Sequence, residues 1–462
     1  MQQWISRVGV LGLGIACVAL NATLAFAVQE LKPLKLSSGQ RKIDSIAGIR
    51  VSLSGDAALR LTGDSSLVED GEIHFTSDSS DALVAFDNVR PSVVKKRFLS
   101  SIFVGEEPAV HGENIRLTAT ANGTVLFPHG PDYAALLTFN SANLKGEPRE
   151  FVVHKYYKSK ELGEDEDQIQ SFKLKKGYMA TFAENENGSG ASKVFIAHDN
   201  DLLVKRLPTR LKGKVSFIRV FPWRYTNKKG IGGSITNARK LQTQWYYDWA
   251  AKSKSSLDIE YVPMRHNRHW DSFEKINQME DVTHLLGFNE PNQPDQANMT
   301  VEQALQMWPK LQASGLRLGS PSPNDAERGL RWLYEFMDEA DKRGLRVDFI
   351  TVHYYKADWS PEELIAWLKK IHKRTGNRPI WLTEFNNGAP WTKGHDPTYA
   401  ENTKRLKQYC KIMDATDFVE RYAIFNLGPD KKQRQVIRKG ELTPTGEWYE
   451  GHTSRQAFKP KK

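Results

Sequence analysis

The period of the hydrophobic pattern changes near residue 228. Before that point, short β-prone runs alternate in polarity, and turns rich in Gly, Asn, Asp and Ser separate them. No helical period of any length competes with this alternation. Residues 28–225 are therefore predicted to be all-β and sandwich-like, in one or two modules, with a barrel as the alternative. The clearest runs are Ile49–Leu53, Ile115–Ala119, Glu150–His154 and Val194–Ala197.

From residue 228 onward, apolar strand-like runs alternate with amphipathic helical segments. Thr300–Gln303 and Ser360–Glu363 have the composition of helix N-terminal capping boxes. Alternating strands and helices predict parallel strands, and eight of them favour a (β/α)8 TIM barrel over residues 228–455. An open doubly wound sheet is the alternative, although no glycine-rich phosphate turn follows a strand. The predicted strands are 231–233, 243–249, 259–264, 284–289, 316–320, 347–354, 379–385 and 421–427.

The first 27 residues have the pattern of a cleaved secretory signal peptide. A short n-region with Arg7 precedes the apolar run Val8–Leu20, and Ala25–Ala27 fits the small-x-small cleavage rule. Cleavage after Ala27 would send the protein to the periplasm or outside the cell, without a transmembrane segment. A lipoprotein site at Cys17 is the weaker alternative. Without Cys17, a mature chain would retain only Cys410 and could form no intrachain disulfide.

The charge balance argues against nucleic acid as a partner. Lys and Arg total 65 against 55 Asp and Glu, a formal net charge of +10. The excess is spread along the chain and forms no basic arm.

Two predicted strand ends carry a glutamate close to an asparagine. Glu290 follows Asn289 at the fourth strand, and Glu384 precedes Asn386 at the seventh. Barrel enzymes place their reactive groups at the carboxyl ends of the strands. Two carboxylates on one face are what glycosidic bond cleavage requires, because one protonates the leaving oxygen and the other attacks or activates water. Each glutamate alone is equally well explained as a helix cap or an ion-pair partner.

Five segments around these glutamates resemble glycoside hydrolase family 128, within the clan A hydrolases. The resemblance covers residues 228 to about 450 and implies a retaining endo-β-1,3-glucanase, or a glucan-binding relative, on a (β/α)8 barrel. A β-glucan polysaccharide would then be the partner, with no cofactor. The segments are Trp245–Trp249, Val262–Met264, Leu285–Asn292, Val352–Tyr355 and Ile380–Phe385.

The resemblance also assigns roles by position. Glu290 would be the acid/base, Glu384 the nucleophile, and Asn289 the group that binds the sugar 2-hydroxyl. His353 and Tyr355 would lie beside the nucleophile. These roles are expected from the resemblance alone.

Further substrate contacts are expected from indoles and from one departure from the family pattern. Asp248 stands where the family motif leads us to expect Asn, which adds a carboxylate near the cleft. Pyranose rings stack on indoles, so tryptophans at strand ends or in loops are candidate subsites. These are Trp249, Trp270, Trp359 and Trp391.

No metal is expected. His266 and His269 have an unspecific His-x-x-His spacing, better explained by sugar contacts or solvation.

Two alternative functions stay open at this point. One is another clan A activity, on xylan or mannan, since the catalytic pair is shared among these enzymes. The other is a catalytically silent glucan-binding protein. The N-terminal half is equally compatible with a carbohydrate-binding module and with a structural domain packed on the barrel.

Overall fold

The computed structural model describes residues 31–63, 70–427 and 433–460. The predicted signal peptide and Cys17 lie outside these residues. The chain forms three successive units, each with buried hydrophobic residues. Within the described residues, every helix is too short or too polar to cross a membrane. Cys410 is buried and is not part of a disulfide.

The first unit is a two-sheet coil in which successive strands alternate between the sheets. One sheet has the order β1-β3-β5-β7-β8 and the other β2-β4-β6-β10-β9. The pairs among β1, β3, β5 and β7, and among β2, β4 and β6, are parallel. Its elements are β1 (Lys32–Leu36), β2 (Gln40–Ile43), β3 (Ile49–Leu53), β4 (Ala58–Leu61), β5 (Glu72–Phe75), β6 (Leu83–Asp87), α1 (Pro91–Arg97), β7 (Ile102–Val104), β8 (Glu107–Pro108), β9 (Arg116–Thr120) and β10 (Gly123–Phe127).

This coil of parallel strands differs from the sandwich-like arrangement predicted for residues 28–225. Each turn takes the chain to the opposite sheet. A strand therefore pairs with the strand two positions earlier in the chain and runs in the same direction. At one corner Gly55 has φ +55°, and a Cβ there would lie 2.6 Å from the Ser37 carbonyl oxygen. Only glycine fits such a corner without strain.

The second unit consists of two four-stranded antiparallel sheets, as expected of a sandwich. Their orders are β12-β11-β14-β17 and β13-β18-β15-β16. Phenylalanines from both sheets pack together, with Phe172 and Phe182 at a centroid separation of 4.9 Å. The elements are β11 (Leu136–Phe139), β12 (Arg149–Phe151), β13 (Tyr156–Lys158), α2 (Ser159–Leu162), β14 (Ser171–Leu174), β15 (Tyr178–Ala183), β16 (Ser192–Ala197), β17 (Leu202–Val204) and β18 (Phe217–Pro222).

The third unit contains a strand at each of the eight predicted positions. Six form a parallel sheet in the order β21-β20-β19-β26-β25-β24, and β22 and β23 form a parallel pair. Isolated parallel bridges join Met264 to Leu286 and Gly319 to Phe349, between these two sheets. The strands are β19 (Lys229–Gly232), β20 (Trp245–Tyr247), β21 (Glu260–Tyr261), β22 (His284–Leu285), β23 (Arg317–Leu318), β24 (Ile350–Tyr354), β25 (Ile380–Phe385) and β26 (Val419–Phe425).

Helices separate these strands, and both predicted capping boxes are present. The Thr300 hydroxyl accepts from Gln303 N at 3.2 Å, and the Ser360 hydroxyl accepts from Glu363 N at 3.1 Å. A short hairpin follows the last strand. The remaining elements are α3 (Ile235–Lys240), α4 (Phe273–Asn277), α5 (Val301–Gln312), α6 (Glu327–Lys342), α7 (Pro361–Arg374), α8 (Tyr399–Ala415), β27 (Ile437–Arg438), β28 (Glu441–Leu442) and α9 (Pro444–Gly451).

The second and third units are joined by buried hydrogen bonds. Arg219, 1% exposed, donates to the Ser314 carbonyl oxygen at 2.5 Å and to the Met279 carbonyl oxygen at 3.0 Å. The Thr181 hydroxyl donates to the Gly315 carbonyl oxygen at 2.6 Å. Met179 and Phe221 of the sandwich also belong to the same buried cluster as the third unit.

Two adjacent buried lysines cap the C-terminal ends of two helices. Lys228 Nζ donates to three carbonyl oxygens around the end of α8. Lys229 Nζ donates to those of Tyr449, Glu450 and His452 at the end of α9, at 2.8, 3.0 and 2.9 Å. Burial lowers the pKa of each lysine to about 8. Carbonyls at a helix C-terminus have no partner within the helix, so these ammonium groups supply the missing donors.

We expect Lys229→Met to lower the free energy of unfolding by about 2–4 kcal/mol. The substitution keeps the apolar stem but leaves three carbonyl oxygens without their charged donor. Urea denaturation at pH 7 measures the change, with Lys404→Met on the exposed face of α8 as the control. A loss no larger than that of the control would contradict the capping role.

Candidate active site

The two glutamates lie at the same end of the strands. Glu384 is in β25, and Glu290 follows β22 by five residues. The backbone N–H of Glu290 donates to the Ser322 carbonyl oxygen at 2.7 Å, and its φ is +39°. A non-glycine residue in this region is strained by about 1–3 kcal/mol, and such strain clusters at functional sites.

Glu384 is held by three side-chain donors. Its Oε1 accepts from the Tyr247 hydroxyl at 3.1 Å and from Trp249 Nε1 at 2.9 Å. Its Oε2 accepts from the Tyr355 hydroxyl at 2.6 Å. The residue is only 6% exposed, so these contacts fix the orientation of the carboxylate.

Both phenols are protonated at neutral pH. Burial, followed by the charge of Glu384, raises the pKa of Tyr247 and of Tyr355 well above the ordinary tyrosine value. A phenol facing a carboxylate at hydrogen-bond distance must be the donor. The two tyrosines therefore serve as donors and not as bases, and the single Tyr247 proton is shared between Glu384 Oε1 and the Thr383 carbonyl oxygen at 3.0 Å.

One imidazole contacts both glutamates. His353 Nδ1 lies 2.9 Å from Glu290 Oε1, and its Nε2 lies 3.6 Å from Glu384 Oε1. Burial acts to lower the pKa of His353, but the negative charges of Glu384 and Glu290 outweigh it, and the pKa is raised. The side chain of Glu290 is 17% exposed, so it is the more accessible of the two carboxyl groups.

Several buried polar atoms beside the glutamates have no hydrogen-bond partner. They include Asn289 Oδ1, His266 Nδ1 and His353 Nε2, the last of which is 3.6 Å from Glu384 Oε1. Asn289 Nδ2 donates to Gln296 Oε1 at 3.1 Å, and the backbone N–H of Asn289 donates to the His266 carbonyl oxygen at 2.9 Å. Burial lowers the pKa of His266, against an opposing effect of Glu384. A neutral imidazole and an amide oxygen are thus available to a ligand.

The remaining predicted residues lie in different settings. Trp391 is 65% exposed, and its ring meets Tyr355 edge-on at 5.2 Å. Trp270 is 45% exposed and lies against His266. Trp359 packs on the main core. The Asp248 carboxylate is occupied, because it accepts from the Tyr261 hydroxyl at 2.7 Å and from Ser253 at 2.6 Å.

Sequence reasoning gave no role to Tyr247 and left His266 among weaker candidates. Tyr247 was part of a recognised motif, but its alternation in the strand did not show that its hydroxyl reaches a carboxylate on the seventh strand. His269 is exposed and pairs with Arg268 at 3.0 Å. In the described ranges no group of three His, Cys, Asp or Glu side chains is placed to hold a metal ion.

Comparison with known proteins gives the class of this unit. Residues 224–449 match the family described as glycosyl hydrolase catalytic core. No curated protein matches the chain.

Three solved structures are similar over about half of the chain. An endo-β-1,3-glucanase of family 128 subgroup I from Amycolatopsis mediterranei, in complex with laminaritriose, is 32% identical; the match covers 48% of this chain and 98% of that one, with a TM-score of 0.44. A subgroup II endo-β-1,3-glucanase from Sorangium cellulosum is 23% identical, with 48% and 98% coverage and a TM-score of 0.41. A subgroup III curdlan-specific exo-β-1,3-glucanase from Blastomyces gilchristii is 25% identical, with 49% and 98% coverage and a TM-score of 0.41.

The third unit is thus a glycosyl hydrolase catalytic core. Identity of 32% over nearly the whole of the subgroup I enzyme places the chain more closely: it belongs to glycoside hydrolase family 128.

Proposed function

We propose that this protein is a secreted, retaining, endo-acting β-1,3-glucanase with Glu290 as acid/base and Glu384 as nucleophile. The observation that carries the proposal is the pair of carboxyl groups on either side of one imidazole, His353. The 32% identity to a β-1,3-glucanase supports this substrate class over the xylan and mannan alternatives.

We also propose that the eight strands of the third unit close into a (β/α)8 barrel, as the sequence pattern predicts. β19 pairs with both β20 and β26, and the two isolated bridges lie where the remaining neighbours would meet. A separate buried cluster takes residues from six of the eight strand regions, as the interior of a barrel would. It comprises Trp245, Tyr247, Val262, Met264, Leu286, Phe349, Trp381 and Ala423.

The chemistry follows from the partners of each carboxyl group. Glu384, aligned by three donors, attacks the anomeric carbon while Glu290 protonates the departing glycosidic oxygen. Glu290 then takes a proton from a water molecule while the water oxygen attacks the anomeric carbon, which breaks the bond to Glu384 and releases the sugar. A separation of about 5–5.5 Å between the two carboxyl groups is expected for this double displacement.

The groups around the pair suit a pyranose ring. The free Oδ1 of Asn289 can accept from the 2-hydroxyl, an interaction that strengthens at the transition state. The exposed face of Trp391 offers a stacking surface next to Tyr355. Asp248 contributes indirectly, by accepting hydrogen bonds from the hydroxyl groups of Tyr261 and Ser253.

The proposal includes export and the division of the chain. Residues 1–27 are the proposed signal peptide, cleaved after Ala27, followed by a β region over 28–225 and a catalytic domain over 228–455.

Product analysis tests the proposal. Purified protein is incubated with laminarin, curdlan, xylan, mannan and mixed-linkage glucan, and early products are followed by chromatography and proton NMR. We expect soluble oligosaccharides from the β-1,3-glucans, with the β-anomer formed first. First-formed α-anomer would overturn the role of Glu384 as nucleophile. Preferential release from xylan or mannan, or no release from any substrate, would overturn the substrate class or the enzymatic function.

A further inference from the structure

A cavity of about 290 Å³ lies where the three units meet. His111 and Arg116 line it from the coil, His154 and Trp223 from the sandwich, and Asp281 from the third unit. Asp281 precedes β22, so the cavity lies toward the amino ends of the strands. Glu290 and Glu384 lie at the opposite, carboxyl ends, and the cavity is therefore separate from the candidate active site.

Three buried nitrogen atoms on residues that line this cavity have no hydrogen-bond partner. They are Arg116 Nε, Trp223 Nε1 and His154 Nδ1. Trp223 is 1% exposed, and the Arg116 guanidinium lies 4.5 Å above the Tyr178 ring while donating to the Gly177 carbonyl oxygen. Unpaired buried polar atoms are costly and uncommon in proteins. Acceptor groups of a ligand would satisfy the N–H groups of Arg116 and Trp223, and a hydroxyl group would satisfy His154 Nδ1 in either tautomer.

The backbone of His154 supports the same conclusion. Its φ is +68°, a left-handed conformation that a side chain disfavours, and its backbone N–H is held by the Val220 carbonyl oxygen at 2.8 Å. Strain of this kind persists where the surroundings fix the backbone conformation, and it is enriched at functional sites.

The cavity carries no net charge. Burial lowers the pKa values of His111 and His154, and it lowers the pKa of His129 to about 3. All three histidines are therefore neutral. His129 is in addition fully paired, with Tyr178 and with the Ser80 carbonyl oxygen.

The charged residues of the lining come in equal numbers. Arg116 and Arg224 are matched by Glu280 and Asp281. An anion would meet the two carboxylates, and a cation would meet the two arginines. Neutral hydroxyl groups can both accept from the arginines and donate to the carboxylates.

Apolar side chains complete the walls. A ligand here must therefore present carbon–hydrogen faces as well as hydroxyl groups, which is the surface of a sugar ring. The volume of about 290 Å³ lies just below the range of about 300–1,000 Å³ for small-molecule sites, which limits the ligand to one or two rings. The apolar lining residues are Ile115, Leu117, Val153, Pro222 and Leu257.

We propose that this cavity at the junction of the three units binds an uncharged mono- or disaccharide, at a site distinct from the hydrolytic one. A bound sugar would contact all three units at once. The proposal does not depend on the hydrolytic activity, since it concerns a separate cavity.

Calorimetric titration with laminaribiose tests the site. The full chain carries Glu384→Gln so that the probe is not hydrolysed. We expect this protein to bind one equivalent more than the same protein with Val153→Trp, whose indole fills the cavity. Leu203→Trp, on an exposed sandwich strand away from the cavity, is the matched control and should keep the additional equivalent. Equal stoichiometry in all three proteins would overturn the proposal.

A milder variant keeps the test decisive if Val153→Trp does not fold. Glu280→Gln at the exposed rim should weaken the additional site about tenfold, whereas Glu274→Gln, outside the lining, should leave it unchanged. Glucose should compete for the site and glucuronate should not. Unchanged affinity in Glu280→Gln, or equal competition by glucuronate, would contradict the sugar assignment. Hydrolysis of laminarin by the protein without Glu384→Gln, measured separately, distinguishes this failure from that of the proposed function.

Discussion

Glu384→Gln is expected to lower kcat on laminarin by roughly 10⁴-fold or more, the scale on which loss of a nucleophile acts. Glutamine has nearly the same shape, and its amide oxygen can still accept from Tyr247, Trp249 or Tyr355. The fold should therefore persist while the attack on the anomeric carbon is lost. Reducing-sugar release measures kcat, and thermal unfolding confirms that the variant is folded.

An added small nucleophile should restore glycosyl transfer in a variant that lacks the Glu384 side chain. Azide supplied to Glu384→Gly has room to attack from the vacated side, and the product should be the α-glycosyl azide, with inverted configuration. Glu335→Gln, on the exposed face of α6, is the matched control and should retain full activity. Residual kcat within tenfold of the unsubstituted enzyme would assign the nucleophile to another residue.

Glu290→Gln is expected to produce a loss that depends on the leaving group. On laminarin, kcat should fall by about 10²–10⁴-fold, because the departing sugar oxygen is no longer protonated. On an aryl glycoside with an acidic phenol, which leaves without protonation, the glycosylation step should be nearly unchanged. The decline in activity on the alkaline side of the pH profile should also disappear in this variant. Stopped-flow release of the phenol separates the two steps of the reaction.

An equal loss on both substrates would remove Glu290 from the role of acid. The same measurement on His353→Gln indicates whether the imidazole acts through Glu290. A positioning role predicts that this variant shows the leaving-group dependence of Glu290→Gln in weaker form. A purely structural role predicts an equal loss on both substrates.

The parallel direction of the strands in the third unit, and the common end at which Glu290 and Glu384 lie, could be predicted because both depend on local patterns. Alternating β and α segments imply parallel strands, and parallel strands bring their carboxyl ends together. Strand β19 was the weakest of the eight in sequence, since it is short, contains one lysine and two glycines, and follows directly on Lys228. The structure explains why lysine and glycine occur at these positions. The lysines are buried on helix carbonyls, and a Cβ at Gly230 would lie 2.2 Å from Trp245 Cε2.

The direction of the strands in residues 32–127 could not be predicted from alternation. A period of two indicates a strand with one buried face, but it is the same for parallel and antiparallel neighbours. The contacts of Asp248 were equally hidden. Its position in a family motif suggested that Asp248 lies near the sugar cleft. In the structure its carboxylate accepts a hydrogen bond from Tyr261, which lies on the next strand. Such pairings arise from tertiary packing, which a single sequence does not encode locally.

The hydrophobic residues that the sandwich shares with the catalytic unit affect how this protein can be rearranged. A binding module on a flexible tether can be exchanged between enzymes as an independent cassette. Here Met179 and Phe221 lie in the same buried cluster as the catalytic unit, and Arg219 ties the sandwich to its loops. The two units should therefore melt in one calorimetric transition, and recombination at this boundary would have to carry both halves of the shared core together.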